Sequence, residues 1–368
     1  MNDLYSATKK TALKSLVTIM VILFRMALNA DPCTTYVVQV NENVKINVTE
    51  ESLTVTSFDG VKLKGTLTVP EHLKGFFIPV HGSFVQTREG DLDETAKWMF
   101  PEGVAKRRLF ADMSKNLLDL GMGSFRYDKR ASGESGGIYA KTDLMILSKD
   151  LVEIWKQLKA RYPQLPIALV GQSEGALTVL KAMELGAKPD FVILQGPALD
   201  PFDKTLEFQR TRAAAPFLND PTGELAKKFP YIAAFYQAMY SGDMMKRIKE
   251  SREQTYTLRI GNWSASTSLE KYRQYLWNGF DLLKNVKVPT VVILGDEDKN
   301  VRPSAGSDIL QAQKTLGLYP QIEVHILKGL EHSFREVEPN ETFIQAMAKP
   351  VSPRYLEVLR DYVRRRLP

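Results

Sequence analysis

Six short, largely apolar runs recur along most of this chain: GFFIPV (75–80), GSFRY (123–127), IALVG (167–171), FVILQG (191–196), VVILG (291–295) and IEVHIL (322–327). Runs of five or six residues suit strands and are too short for buried helices. Runs apolar on both faces belong inside a sheet that is covered on both sides. Stretches of helical periodicity separate them, as at 142–160 and 174–186. This alternation predicts an α/β fold with a mostly parallel sheet and helices on both faces. Upstream, from Tyr36 to Pro70, apolar and polar residues alternate (YVVQV, VKINV, LTVTSF, KLKGTLTV) around Asn41-Glu42-Asn43 and Asp59-Gly60. Period-two alternation broken by turn residues predicts antiparallel strands that start the sheet.

About 85 residues, 200–285, separate the fourth run from the fifth and show no clear strand pattern. Phe229, Tyr231, Phe235, Tyr236, Tyr240, Trp263, Tyr272, Tyr275, Trp277 and Phe280 fall there at helical spacings. Since βα connections usually take about 2 to 6 residues, an excursion this long predicts a helical cap. At the N-terminus, Lys9, Lys10 and Lys14 precede the run Leu16 to Phe24, and small residues (Ala27 to Ala30) lead into Asp31-Pro32. That is the pattern of a secretory signal, and the apolar run falls well short of the roughly 20 residues a membrane span needs. The expected layout is a signal at 1–30, a first core segment at 31–199, a cap at 200–285 and a second core segment at 286–368. A secreted or periplasmic location follows, with an uncleaved membrane anchor as the alternative.

The composition narrows the chemistry. Cys33 is the single cysteine among 368 residues and there are four histidines, so multi-cysteine metal sites and a disulfide framework are excluded. A net charge of +6 would permit an anionic partner, but Lys9, Lys10, Lys14 and Arg25 against Asp3 place half of it in residues 1–30. No nucleic-acid partner is expected. Three residues past the proposed cut, Cys33 reads as a thiol outside the fold. Gly121-Met122-Gly123 begins a dinucleotide fingerprint, yet Arg126 stands where the third glycine belongs. Asp296, Asp298 and Asn300 begin like a calcium loop, yet Val301 and Ser307 occupy its Gly and Glu places. Neither a cofactor nor a metal is expected.

Gly171-Gln172-Ser173-Glu174-Gly175 is a Gly-x-Ser-x-Gly element, a common chance pattern by itself. Here IALVG ends on it and a helical stretch from Ala176 starts after it. Strand, sharp turn and helix make a nucleophile elbow, which lifts a serine hydroxyl above the sheet. Serine needs a base to take its proton, and the base needs a carboxylate, in chain order Ser, acid, His. Asp296-Glu297-Asp298 follows the run VVILG, and His332 lies in a loop beyond the last run. His325 falls inside its strand, His72 precedes the wound part of the sheet, and His81 closes a strand as His81-Gly82.

With His81-Gly82-Ser83, Tyr127-Asp128-Lys129-Arg130, the Ser173 elbow, Gly295-x-x-Asp298-x-x-Val301 and Gly329-x-x-His332-x-Phe334 in order, the sequence resembles the α/β-hydrolase superfamily over about residues 52–366. "HGS" with Arg88 downstream, "RYDKR" and "SGESGG" look like exported bacterial esterases and serine aminopeptidase-like hydrolases. The resemblance implies Asp298 as the acid, with Asp296 as the fallback, and a cap over the site. It also implies an oxyanion hole made of the backbone N–H groups of Glu174 and Ser83. Relatives usually carry glycine where this chain has Phe84 and Ala131, and often histidine where it has Gln172. Ala131 suggests a different loop backbone, and Phe84 puts a ring near the oxyanion hole. Lys129, Arg130, Glu134 and Ser135 either touch substrate or pin their loop. The expected activity is hydrolysis of a small carboxylic ester through an acyl-enzyme. An aminopeptidase using Glu207, Glu224, Glu250 or Glu253 to bind a free amine, a thioesterase and a non-catalytic binder are the alternatives.

Overall fold

The computed structural model describes residues 33–94, 106–220, 222–240, 243–260, 263–338, 341 and 343–368. The segment read as an export signal lies outside them. Among the described residues there are eleven strands: β1 (Cys33–Asn41), β2 (Val44–Thr56), β3 (Lys62–Pro70), β4 (Gly75–Val80), β5 (Met122–Tyr127), β6 (Ile167–Gln172), β7 (Phe191–Gln195), β8 (Thr255–Ile260), β9 (Trp263–Ser268), β10 (Thr290–Gly295) and β11 (Ile322–Leu327). Nine of them form one sheet in the order β1-β2-β3-β5-β4-β6-β7-β10-β11. The first three run antiparallel, and β5, β4, β6, β7, β10 and β11 run parallel to one another. All six predicted runs are strands of the parallel part, a mostly parallel sheet with antiparallel N-terminal strands as the α/β-hydrolase fold requires.

Side chains along these strands alternate between two cores, as a pleated backbone dictates. Phe76, Ile78, Leu169, Val192 and Val292 face one side, where α2 (Leu144–Arg161) and α3 (Glu174–Glu184) supply Leu151, Ile154, Ala176 and Leu180. Phe77, Val170, Ile193 and Ile293 face the other, covered by α1 (Leu109–Leu117) and by the C-terminal helix Pro353–Arg364. Burial on both faces explains why these runs lack the alternation of a half-exposed strand.

Between β7 and β10 the chain forms α4 (Phe202–Thr211), α5 (Ala215–Leu218), α6 (Glu224–Lys228), α7 (Pro230–Tyr240), α8 (Asp243–Glu250), α9 (Leu269–Gln274) and α10 (Gly279–Lys284). It also forms the antiparallel pair β8 and β9, which the sequence reading lacked. Trp263–Ser268 is mostly serine, threonine and alanine, so it carries no apolar alternation to detect. Ser268 Oγ accepts the N–H of Lys271 and so caps α9 directly out of β9. Ala213, Ala214, Phe217, Ile232 and Tyr236 make a small core within this insert. Its other large residues, among them Phe202, Met239, Met244, Leu269 and Tyr275, join the main core.

Cys33 is the first residue of β1, paired in register with Glu51. It therefore belongs to the sheet as an exposed free thiol, and the expectation that it lies outside the fold is corrected: pairing with β2 continues three residues upstream of Tyr36, where Thr34 and Thr35 carry no apolar alternation to mark it. Ala131 also departs from expectation, because its φ of 67° keeps the left-handed backbone that glycine would adopt freely. The loop around it is pinned from outside. Arg130 forms two hydrogen bonds to Asp59 in the β2–β3 turn, at 2.8 and 2.9 Å, and pairs with Asp150 of α2 at 2.5 Å. Burial lifts the Asp150 carboxyl above the ordinary range, against the pull of Arg130 and Ser57. Replacing Arg130 by methionine strands that buried carboxylate, so Arg130→Met is expected to cost about 3–5 kcal/mol in denaturant unfolding.

Candidate active site

β6 ends on Gln172 and α3 begins on Glu174, leaving Ser173 alone at the corner. Its φ of 56° and ψ of −117° are rarely populated by a residue with a side chain. Contacts on both sides hold the corner: Ser173 N–H donates to the carbonyl of Gln195 on β7 at 2.9 Å, and its own carbonyl accepts from Ala176 N–H at 3.0 Å. Tight packing makes the flanking glycines obligatory. A Cβ on Gly171 would lie 2.6 Å from the Gly175 carbonyl oxygen, and one on Gly175 would lie 2.2 Å from that of Val80.

Asp298 sits in the turn after β10. Its Oδ1 accepts the N–H groups of Asn300 and Val301 at 2.7 and 2.9 Å, while Oδ2 lies 2.6 Å from His332 Nδ1. Burial disfavours the His332 imidazolium, but Asp298 and, more weakly, Glu331 outweigh it and raise its pKa above the usual 6.5. Asp296, the fallback acid, is exposed and accepts Gly329 N–H instead. The His332 loop approaches so closely that a Cβ on Gly295 would lie 2.1 Å from the Leu330 oxygen. Gly196, with φ 49°, leaves room for the pair, since a Cβ there would lie 3.1 Å from His332 Nδ1. His81 is buried beside Thr87, where burial and then Lys129 hold its pKa down near 3, and His325 pairs with Glu323.

The loop after β4 is fixed by its carbonyls. Lys129 Nζ donates to Gly82 O at 2.7 Å and Phe84 O at 2.9 Å, and Gln86 Nε2 donates to Ser83 O at 2.6 Å. In a planar trans peptide the N–H opposes the carbonyl, so anchoring Gly82 O turns the Ser83 N–H away from Lys129. Glu174 N–H belongs to the first turn of α3, whose leading donors have no partner within the helix. The Glu174 side chain turns inward, is 3% exposed, and meets Lys129 Nζ at 2.8 Å and Lys271 Nζ at 2.9 Å. The Tyr275 hydroxyl donates to the same carboxylate. Despite its burial, Glu174 is held below the ordinary carboxylate range by the two lysines.

Ser83, Ser173, Glu174 and His332 all border one cavity of about 160 Å³. Phe202, Phe235, Tyr236, Met239, Lys271 and Tyr275 close it from the insert. The structure thus gathers Ser173, His332, Ser83 and Glu174 around one space, with Asp298 behind His332.

A family model described as serine aminopeptidase, S33, matches residues 104–339. The chain belongs to that family, within the α/β-hydrolase superfamily. As such it is a hydrolase. Among solved structures it is similar to an esterase of Pyrococcus furiosus, with 18% identity, TM-score 0.54 and coverage of 87% of this chain and 91% of that one. It is also similar to Est1E of Butyrivibrio proteoclasticus with ferulic acid bound, with 17% identity, TM-score 0.52 and coverage of 84% and 96%. These likenesses are of fold. A search of curated protein sequences finds no match.

In this hydrolase the two departures from the family's glycines share one property. Phe84 and Ala131 both have positive φ, 70° and 67°. The loops therefore keep the glycine-type backbone at the cost of strain, and the Phe84 ring lies against Phe235 of the insert with centroids 5.8 Å apart. Gln172 fills the space over Gly82, where a Cβ would lie 2.3 Å from its Oε1. Sequence reasoning missed Lys271 altogether and gave Tyr275 no role beyond that of one aromatic among those of the insert. Their only signal was a lysine among the aromatics of a capped helix, in a segment that offered no strand to anchor a motif. The elbow itself yields a test. Gly175→Ala must part α3 from β4 and is expected to cost about 1–3 kcal/mol in thermal or denaturant unfolding, the range for overpacking a tight contact.

Proposed function

We propose that this hydrolase cleaves small carboxylic esters by way of a Ser173-His332-Asp298 triad. The observation that carries the reading is His332 held by Asp298 through Nδ1, which leaves Nε2 for the Ser173 hydroxyl that borders the same cavity. Ser173 Oγ attacks the ester carbonyl carbon while its proton passes to His332 Nε2. The oxyanion that forms is met by the N–H groups of Ser83 and Glu174, each such donor being worth about 2.7–4 kcal/mol. His332 then protonates the departing alcohol, and water, deprotonated by the same histidine, releases the acid from Ser173. Asp298 keeps the imidazole in the right tautomer and stabilises its charged form.

Ester rather than aminopeptide cleavage is favoured by the charges around the cavity. Glu207, Glu224 and Glu253 have side chains more than half exposed, Glu250 is exposed, and none of the four borders the cavity. Among the described residues the one carboxylate on the wall, Glu174, is already shared by two lysines, so a free amine finds no partner there. A cavity smaller than the roughly 300–1,000 Å³ of drug-sized pockets supports a short substrate. For location, the basic and apolar segment before Asp31 supports export, and N-terminal sequencing of the mature protein is expected to start near that residue.

Fluorophosphonate labelling with turnover of short p-nitrophenyl esters tests the chemistry. Ser173→Ala is expected to abolish both, and intact turnover in that variant overturns the reading. Because His332 acts as a base only when neutral, a raised pKa moves the rise of kcat/KM to a pH above 6.5. Asp298→Asn is expected to shift that rise to lower pH and to reduce kcat by roughly 10⁴.

A further inference from the structure

Two ammonium groups share one carboxylate beside the cavity. Lys129 needs all three of its N–H donors, for Gly82 O, Phe84 O and Glu174 Oε1, so its amine is protonated in this arrangement. Lys271 gives one N–H to Glu174 Oε2 at 2.9 Å and one to the Tyr139 hydroxyl at 3.4 Å. No described residue accepts its third. All of this is buried: Lys129 is 2% exposed and Lys271 3%. Glu174 carries a single negative charge, which balances only one of the two ammonium groups. The group therefore carries one net positive charge, and only Lys271 of the two lysines borders the cavity. Of the carboxylates that act on His332, Asp298 is committed to that histidine and Glu331 to the N–H groups of Ser333 and Arg335. Arg107, also on the wall, has the carboxylates of Glu331 and Asp91 beside it and brings no negative charge to the lysines. A buried charge without a counter-charge is costly, and an anion arriving from solvent relieves that cost.

We propose that the natural substrate carries a carboxylate, bound by Lys271 next to the elbow, so that the enzyme prefers esters bearing a free acid group. This rests on the acyl-hydrolase reading above and names the substrate class it would take. Lys271 lies one side chain away from Ser173 along the wall, through Glu174, so the acid and the scissile carbonyl sit close together in the ligand. The aromatic remainder of the wall suits the short chain that joins them.

Acid release from half-esters of dicarboxylic acids (monoethyl glutarate and adipate) and from acetoxyacetate, each against a neutral ester of matched length, measures the preference. The wild-type protein is expected to favour at least one anionic ester in kcat/KM by on the order of tenfold. In Lys271→Met, which leaves a charge-balanced Lys129–Glu174 pair, that ratio is expected to fall toward one, and Lys271→Arg is expected to restore much of it. A preference for the neutral partner in every pair overturns the inference while leaving the ester-hydrolase reading standing, as does a preference that survives Lys271→Met. Absence of Ser173 labelling and of any ester turnover overturns both. If Lys271→Met does not fold, the wild-type ratio decides.

Discussion

The ion cluster centred on Glu174 ties together parts of the chain that nothing else joins so directly. Lys129 comes from the loop after β5, its two other acceptors from the loop after β4, Glu174 from the first turn of α3, and Lys271 from a helix of the insert. Burying three ions is expensive, and such a cluster persists only when nearly every donor and acceptor is used. Here both oxygens of the carboxylate are engaged and Lys129 has no donor left over. The arrangement constrains position more than it adds stability. The residue after the nucleophile cannot shift without also disturbing the carbonyls whose anchoring orients the Ser83 N–H.

Four of the six described non-glycine residues with positive φ lie in the loops around the same point, Arg108 and Tyr319 being the other two. Ser173, Phe84, Ala131 and Phe334 all have positive φ without being glycine, and each lies in a loop at the C-terminal end of a parallel strand or next to one that does. Unfavourable conformations of this kind survive only where the surroundings over-determine them. The surroundings here are visible: Gln195 holds Ser173 N–H, Lys129 holds Phe84 O, and Gly136 O holds Ala131 N–H. Ser173 and Phe84 are thus fixed from other segments, a neighbouring strand and the loop after β5, whereas Ala131 is held from within its own loop.

Much of the sheet was legible because its signals are local. Runs such as IALVG and VVILG need only be short, apolar and bounded, and Ser173 announces itself by the strand before it and the helix after it. Choosing Asp298 over Asp296 needed the family resemblance, because composition treats the two acids alike; the structure separates them by burial and by which N–H groups each accepts. The β8–β9 pair escaped notice because serine and threonine on a polar strand leave no periodic trace. Lys271 escaped for a deeper reason. It meets Glu174 across almost a hundred residues of sequence, and a charge that pairs at such range looks, in one dimension, like any other solvated lysine. For Ala131 the sequence argued for a changed backbone, whereas tertiary contacts kept the backbone and let the side chain bear the strain.

The strands on either side of the insert, β7 and β10, are direct hydrogen-bonded neighbours. The sheet therefore closes over the excursion as though it were not there, and Lys129 with Glu174 forms a neutral pair belonging to the core alone. The surplus charge arrives on α9. Around Glu174 the core alone is charge-balanced, and the surplus comes from the insert. A lineage could exchange that piece and invert the sign of what the pocket attracts without touching a strand.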